Sequence, residues 1–378
     1  MSRGPHRGLQ YNTYDRVLAL ERPSVITHTL RVLSDRQTRF RFGRGCVECV
    51  RQDLPRGAGP VALVSDTVVF RLHGARVLSQ LGDRPVRPIV VRPGDQSKDR
   101  RTLARIQDRI LHAGADRTTA VVALGGGVVT DLAGLAAATL LRGLPLFLVP
   151  TTLLAAVDAA IGGKTALNTR LGKNLIGSFY WPETVVVDWE FLESLPPIER
   201  LQGLAEMIKH GVVADEGLLS ELEAQVPALA QGGLPEPDTL RRAAMVKIRV
   251  VEEDPFESGK RRILNFGHTV AHAIEAASGF GVPHGSAVAI GMAVEARIAE
   301  QVTGFAGTKR LTTLLETLGL PARPPIPFRA ARPFLRRDKK AVSAQIRLSL
   351  PRALGAMEDA GGEYAIPVPE HLIERHWR

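Results

Sequence analysis

Glu206 and Lys209 sit three residues apart in Gly203-Leu-Ala-Glu206-Met-Ile-Lys209, and further along Asn265-Phe-Gly-His268-Thr-Val-Ala-His272 and Pro283-His284-Gly285 place three of the ten histidines within 17 positions. On a helix these spacings put Glu206 beside Lys209, and Asn265, His268 and His272 on one shared face. Glu206, His268 and His284 together offer a carboxylate and two imidazoles. That set would give a zinc ion three protein ligands and leave one position open for substrate. Each part also has an ordinary alternative: a surface Glu–Lys pair is common, and HxxxH often only packs or caps.

Lysine is scarce. Only nine of the 49 basic residues are lysine, the rest being arginine. Where arginine has taken most surface positions, a surviving lysine marks a place that needs a compact ammonium of tunable pKa. Asp158-Ala-Ala-Ile-Gly-Gly-Lys164 and Gly172-Lys173-Asn174 bring two lysines, a carboxylate and an amide into a short glycine-rich stretch. Such a stretch suits a cavity that holds phosphate and hydroxyl groups, with a pair of solvated loops as the alternative. Lys247 and Arg261 flank the acidic turn Glu252-Glu253-Asp254, and Arg336-Arg337-Asp338-Lys339-Lys340 reads either as a solvated charge run or as an unusual lysine pair.

Gly125-Gly126-Gly127-Val128-Val129-Thr130-Asp131 follows the strand-like run Ala120 to Leu124 and opens a helical pattern. Glycines there let backbone amides approach a pyrophosphate, and a helix N-terminus favours the anion. The triplet is not GxGxxG, and by itself it fits a ligand-free turn equally well. A second turn, Pro150-Thr151-Thr152, would bring hydroxyls to the same ligand, and the pair points to a dinucleotide.

The elements that must hold these residues follow from periodicity. Val61 to Val64, Pro88 to Val91, Ala120 to Leu124, Leu146 to Val149 and Thr184 to Val187 read as buried strands, with Leu103, Ile106, Ile110 and Leu111 on a helical face between them. This predicts an α/β domain with a mostly parallel sheet. After Asp188 the strand signals fade, and 197–213, 216–228, 240–252, 268–278 and 286–301 read as helices. The expected organisation is an α/β domain over 1–187, with 1–40 an arginine-rich extension of unassigned role, and a mainly helical domain over 188–378. Pro321 to Pro333 reads as a linker or surface loop.

A length of 378 residues with 44% hydrophobic and 23% charged residues excludes collagen-like and disordered classes. The net charge of +10 invites a nucleic-acid reading, but no dense basic block or basic-aromatic stripe supports it. Cys46 and Cys49 form one CxxC without a second pair, half of a structural zinc site, and read as a buried pair in a reducing compartment. The first residues carry no apolar signal segment, and the most apolar stretch, Leu132 to Gly162, is interrupted by Arg142, Pro145, Pro150 and Asp158. The expectation is a cytoplasmic protein with no membrane or nucleic-acid partner.

Seven collinear strings, GGGVVTDLAG, VPTTLLAAVDAAIGGKTALN, GKNLIG, GLAEMIKHG, LNFGHTVAHAIE, PHGSAVAIGM and RDKK, resemble the 3-dehydroquinate synthase family of sugar-phosphate cyclases over about Pro60 to Pro351. The resemblance implies a two-domain fold, with an α/β NAD-binding domain followed by a helical metal- and substrate-binding domain. It also implies an NAD- and zinc-dependent lyase, with cobalt as an alternative metal, that converts 3-deoxy-D-arabino-heptulosonate 7-phosphate into 3-dehydroquinate and phosphate. By motif, Glu206, His268 and His284 resemble metal ligands. Asp158, Lys164, Asn174, Lys209 and His272 resemble catalytic positions, and Lys247, Arg261, Asn265 and Lys339 substrate-binding ones. Arg142 resembles an arginine reaching the phosphate from a neighbouring subunit, which implies a homodimer. Asp95, Lys98, Gly127, Thr130, Asp131, Thr151, Thr152, Lys164 and Lys173 fall at NAD-binding positions.

Thr130, Ala159, Ala160, Trp181, Ala271 and Ser286 depart from the family pattern, and related cyclases act on sedoheptulose 7-phosphate, glucose 6-phosphate or an amino analogue. Arg261, Asn265 and His272 favour a carboxylated substrate, because a guanidinium suits a carboxylate. This ranks dehydroquinate synthesis first, an aminodehydroquinate synthase second and an uncarboxylated-sugar cyclase third. A polyol dehydrogenase of similar fold is a more distant reading.

Overall fold

A computed structural model describes residues 25–33, 36–55, 57, 59–337 and 345–378. In chain order the first half runs β1 (Ile26–Leu33), β2 (Arg36–Gly43), α1 (Cys49–Asp53), β3 (Val61–Asp66), α2 (Thr67–Gln80), β4 (Val86–Val91), α3 (Arg100–His112), β5 (Ala120–Gly125), α4 (Gly127–Thr139), β6 (Leu146–Pro150), β7 (Lys164–Thr169), β8 (Gly172–Phe179) and β9 (Thr184–Asp188). Seven strands form one sheet in the order β1-β2-β9-β6-β5-β3-β4, all neighbours parallel except β1 with β2. The fully buried runs of β3, β5, β6 and β9 explain why these strands are apolar throughout. Among the predicted helix residues, Ile106 and Ile110 are buried, whereas Leu111 is exposed because it lies one position off the apolar stripe of α3.

Residues 26–33 and 36–40, expected in an extension, instead belong to the sheet, β1 as its edge strand and β2 beside it. The signal was present as alternation: Thr38, Phe40 and Phe42 point inward, while Arg39 and Arg41 pair with Asp53. The glycine-rich stretch with Lys164 and Lys173 is not a pair of loops but the antiparallel hairpin β7–β8.

Helices then take over: α5 (Trp189–Glu193), α6 (Pro197–Ala214), α7 (Glu216–Ala224), α8 (Val226–Leu229), α9 (Pro237–Glu253), α10 (His268–Ala277), α11 (His284–Val302), α12 (Thr308–Thr317) and α13 (Phe328–Arg337). The predicted linker therefore passes into α13, which tolerates Pro333 in its interior. Helix α6 is buried on nearly every side from Gln202 to Val213, and α11 likewise from Gly285 to Ala299. These two form the centre of the helical half and carry Glu206 and His284. Cys46 and Cys49 are buried and free, and burial pushes the Cys46 thiol up, so they pack rather than react. No described helix is long and apolar enough to cross a membrane.

Candidate active site

Glu206 is fully buried on α6, and its Oε1 lies 3.3 Å from His284 Nε2 and 3.6 Å from His268 Nε2. The ligand atoms of the three residues lie within 4.8 Å of one another. His268 Nδ1 is 3.2 Å from the Phe266 carbonyl and His284 Nδ1 is 3.4 Å from Glu275 Oε1. Carbonyl and carboxylate oxygens only accept, so in each ring Nδ1 carries a proton, and Nε2, which faces Glu206, is the nitrogen left to offer a lone pair to a metal. Among the described residues, neither Glu206 oxygen receives a hydrogen bond, although Lys209 forms an ion pair with Oε2. Two imidazole Nε2 atoms and an under-satisfied carboxylate converging on one point fit a divalent metal, which would displace the proton from His284 Nε2.

The charges agree. Burial disfavours the Glu206 carboxylate, but Lys209, His268 and His284 hold it well below the usual range. Burial and Lys209 push His268 down to about 3, while His284, against burial, is raised to about 9 by Glu206 and Glu275. The cluster thus draws a proton onto His284, a positive charge that a metal would replace. The Glu206–Lys209 pair is therefore no surface pair, since both side chains are buried. Asn265 does not share the helical face of His268: it ends a tight turn over Lys260–Asn265, and Gly267, at φ 81°, redirects the chain so that α10 starts at His268. His272 lies beyond it on α10, its ring 5.5 Å from that of His268.

Beside the metal cluster lies a second, cationic one. Asp158, on a π-helical turn after β6, accepts from Lys247 Nζ at 2.8 Å and lies 3.8 Å from Lys209 Nζ and 3.5 Å from His210 Nε2. Against burial, Lys247 and Lys209 hold Asp158 well below the ordinary carboxylate range. Burial lowers Lys247 to about 8 despite Asp158, with Lys209 and Arg261 adding to the depression.

Arg261 is 1% exposed, and its guanidinium donates to the carbonyls of Gly162 at 2.9 Å and Pro255 at 2.5 Å, leaving Nε without a bond among the described residues. Asn265 donates to Glu257 at 2.7 Å, and Lys164 forms an ion pair with the same carboxylate. A Cβ on Gly162 would stand 2.3 Å from the Arg261 guanidinium, at a φ of 104° that side chains avoid. Gly162→Ala is therefore expected to cost about 1–3 kcal/mol. The denaturant midpoint reads this, and an unchanged midpoint would contradict the contact.

On the sheet side, the chain passes from β5 into α4 through Gly125 and Gly126, and no side chain caps α4. A Cβ on Gly126 would lie 2.8 Å from Thr152 Cγ2, and one on Gly127 3.3 Å from the Ala159 methyl. The Thr151 hydroxyl is buried without a hydrogen-bond partner among the described residues, while Thr152 caps the following turn through the Ala155 amide and Thr130 bonds back to Gly127. Bare amides at a helix start and an unspent hydroxyl fit a dinucleotide phosphate. Lys98 joins Asp131 and Asn174, both at 2.5 Å, and Lys173 joins Asp95 at 3.0 Å. Arg142 stands apart, exposed on the turn after α4, with a positive φ and no polar partner among the described residues. Lys339 lies outside the described residues.

Family models described as 3-dehydroquinate synthase N-terminal and C-terminal match residues 88–202 and 203–341. The chain belongs to the 3-dehydroquinate synthase family. A 3-dehydroquinate synthase of Symbiobacterium thermophilum is 47% identical over 315 residues, covering 80% of this chain and 86% of that protein. Among solved structures, a 2-deoxy-scyllo-inosose synthase complexed with carbaglucose-6-phosphate, NAD+ and Co2+ is 28% identical, with a TM-score of 0.83 over 93% of this chain and 99% of that one. A 2-epi-5-epi-valiolone synthase from Streptomyces hygroscopicus with NAD+ and Zn2+ bound is 27% identical, with a TM-score of 0.82 over 92% and 97%.

Membership in the 3-dehydroquinate synthase family accounts for the motifs, yet four buried or half-buried polar residues went unnoticed in the sequence. Glu275 follows His268 and His272 at helical spacing, so its place on their face was legible. Glu257, His210 and Glu295 gave no such signal. Glu257 reaches Lys164 and Asn265 from an irregular turn at φ 61°, and His210 is anchored by Nδ1 to the Ala243 carbonyl at 3.0 Å. Glu295 accepts from the Gly267 amide at 2.7 Å, holding the chain where α10 begins.

Proposed function

We propose that this protein is a 3-dehydroquinate synthase, releasing phosphate from 3-deoxy-D-arabino-heptulosonate 7-phosphate and closing the carbocycle. The observation that carries this reading is the adjacency of the two clusters: the Glu206, His268 and His284 set stands directly beside Lys209, Asp158, Lys247 and Arg261. When bound, NAD would take and return a hydride and a zinc or cobalt ion would supply Lewis acidity. Glu206 with the Nε2 atoms of His268 and His284 would hold the metal. The α4 amides, Thr151, Thr152, Asp95, Lys98, Asp131 and Lys173 would hold the dinucleotide.

The chain's own part is positioning and electrostatics. Arg261 and Lys247 present cationic donors to a carboxylate, and Asn265, from the turn before α10, and His272, on α10, line the approach. Lys164 and Asn174 stand on the β7–β8 hairpin on the other side, with Lys339 assigned to the pocket by motif. Asp158 keeps Lys209 and Lys247 charged and in place. The exposed Arg142 suits a role in a neighbouring subunit's site, and we assign a homodimer on that basis; the free, buried Cys46 and Cys49 fit a reducing, cytoplasmic compartment.

Phosphate release by the purified protein with NAD and zinc tests the reading. The heptulosonate phosphate, its amino analogue and sedoheptulose 7-phosphate are offered in parallel, with release from the first and dehydroquinate as product expected. Release only from another sugar would overturn the substrate assignment.

Lys247 adds a pH dependence. Its ammonium is charged below about 8 and neutral above. Anion binding through it weakens as pH rises, so kcat/KM for the heptulosonate phosphate should fall with a midpoint near that pH. Lys247→Arg, whose guanidinium stays charged, should remove this alkaline limb; a limb that persists unchanged would assign it elsewhere.

A further inference from the structure

Glu275 is 1% exposed, and its Oε1 receives two cationic partners: His284 Nδ1 at 3.4 Å and Lys173 Nζ at 3.1 Å. Lys173 continues to Asp95 Oδ2 at 3.0 Å. The four groups come from α11, α10, β8 and the turn before α3, so the chain of contacts crosses from the helical half to the sheet half. The turn between α10 and α11 holds it firmly, because Phe280 N donates to the Glu275 carbonyl at 2.7 Å and Lys173 Nζ sits 4.8 Å over the Phe280 ring.

We propose that Glu275 is a positioning residue that sets the metal-binding tautomer of His284 and ties that ligand to the Lys173–Asp95 pair on the dinucleotide side. A carboxylate accepts only, so its contact keeps a proton on Nδ1 and leaves Nε2, which faces Glu206, as the nitrogen that offers a lone pair to a metal. Because the same oxygen holds Lys173, a ligand that orders Asp95 and Lys173 also orders His284. Metal and dinucleotide affinities are then linked, and linkage is reciprocal. The inference rests on the proposed reading of Glu206, His268 and His284 as metal ligands and of Asp95 and Lys173 as dinucleotide contacts.

The test uses the full chain stripped of metal, with zinc affinity measured by competition against a chromogenic chelator, with and without NAD. The wild type should bind one zinc, more tightly when NAD is present. Glu275→Gln should weaken zinc binding by about 10- to 100-fold and abolish the effect of NAD on it. Lys173→Gln, with its NAD binding measured separately and NAD raised until the variant is saturated, should still lose the effect of NAD on zinc affinity; it keeps the test decisive if Glu275→Gln does not fold, and a saturated variant that retained the full NAD effect would overturn the relay. Zinc binding and NAD dependence unchanged in both variants would overturn the relay and leave the metal site standing. Failure of the wild type to bind zinc would overturn the metal reading and the relay with it.

Discussion

Glu206→Gln should lose its metal and cut phosphate release by roughly 10²- to 10³-fold or more. The substitution keeps shape and removes only charge, at the one point where Lys209 and two imidazoles converge. Without the carboxylate, His268 and His284 still turn Nε2 toward the same place, but they offer no charge, and the buried Lys209 ammonium beside them repels a cation. Lys209 keeps Asp158 at 3.8 Å, so the loss of stability should fall near the low end of the roughly 3–5 kcal/mol seen when one partner of a buried pair is removed. Metal content by atomic absorption, phosphate release and a denaturation curve separate these effects. A folded variant that retains both metal and turnover would remove Glu206 from the metal site.

Asp158→Asn should cost more in stability, about 3–5 kcal/mol. This one carboxylate offsets Lys247 and Lys209, with Arg261 close enough to depress Lys247 further. Neutralising it leaves ammonium groups facing one another in a buried site. Since the folded Asp158 is held below its ordinary range, its contribution is complete above the unfolded carboxyl value of about 3.9 and is lost only as the pH falls through the lower, folded value. Urea midpoints of wild type and variant should therefore differ by a constant amount between about pH 5 and 7 and converge under stronger acid. A gap that instead widened on acidification would mean Asp158 is not the anion of this cluster.

How much of this was legible beforehand differs by element. The buried strands β3, β5, β6 and β9 announced themselves as short apolar runs, and the helices from α6 to α11 by periodicity, because burial on one or both faces leaves its mark on consecutive residues. The hairpin β7–β8 did not. Strand β8 is mostly exposed, with Leu175 outward, the connecting turn exposes Leu171, and β7 buries the consecutive residues Thr165 to Leu167, so neither strand carries apolar alternation. For Asn265, helical spacing held in the sequence, but the left-handed Gly267 breaks the helix just ahead of His268.

The sequence by itself determined the donor inventory: which residue types could bind a metal or phosphate, and, through the rarity of lysine, which cations were worth following. Local spacing could go that far because i, i+3 and i, i+4 neighbours share a helical face regardless of what surrounds them. Only the tertiary structure decided which atoms meet. It buried the Glu206–Lys209 pair, aimed both Nε2 atoms at Glu206 by tying up each Nδ1, and set Glu275 between His284 and Lys173. Contacts such as Lys173 to Glu275 join residues 102 positions apart. They depend on how α10, α11 and the hairpin pack, which no local pattern encodes.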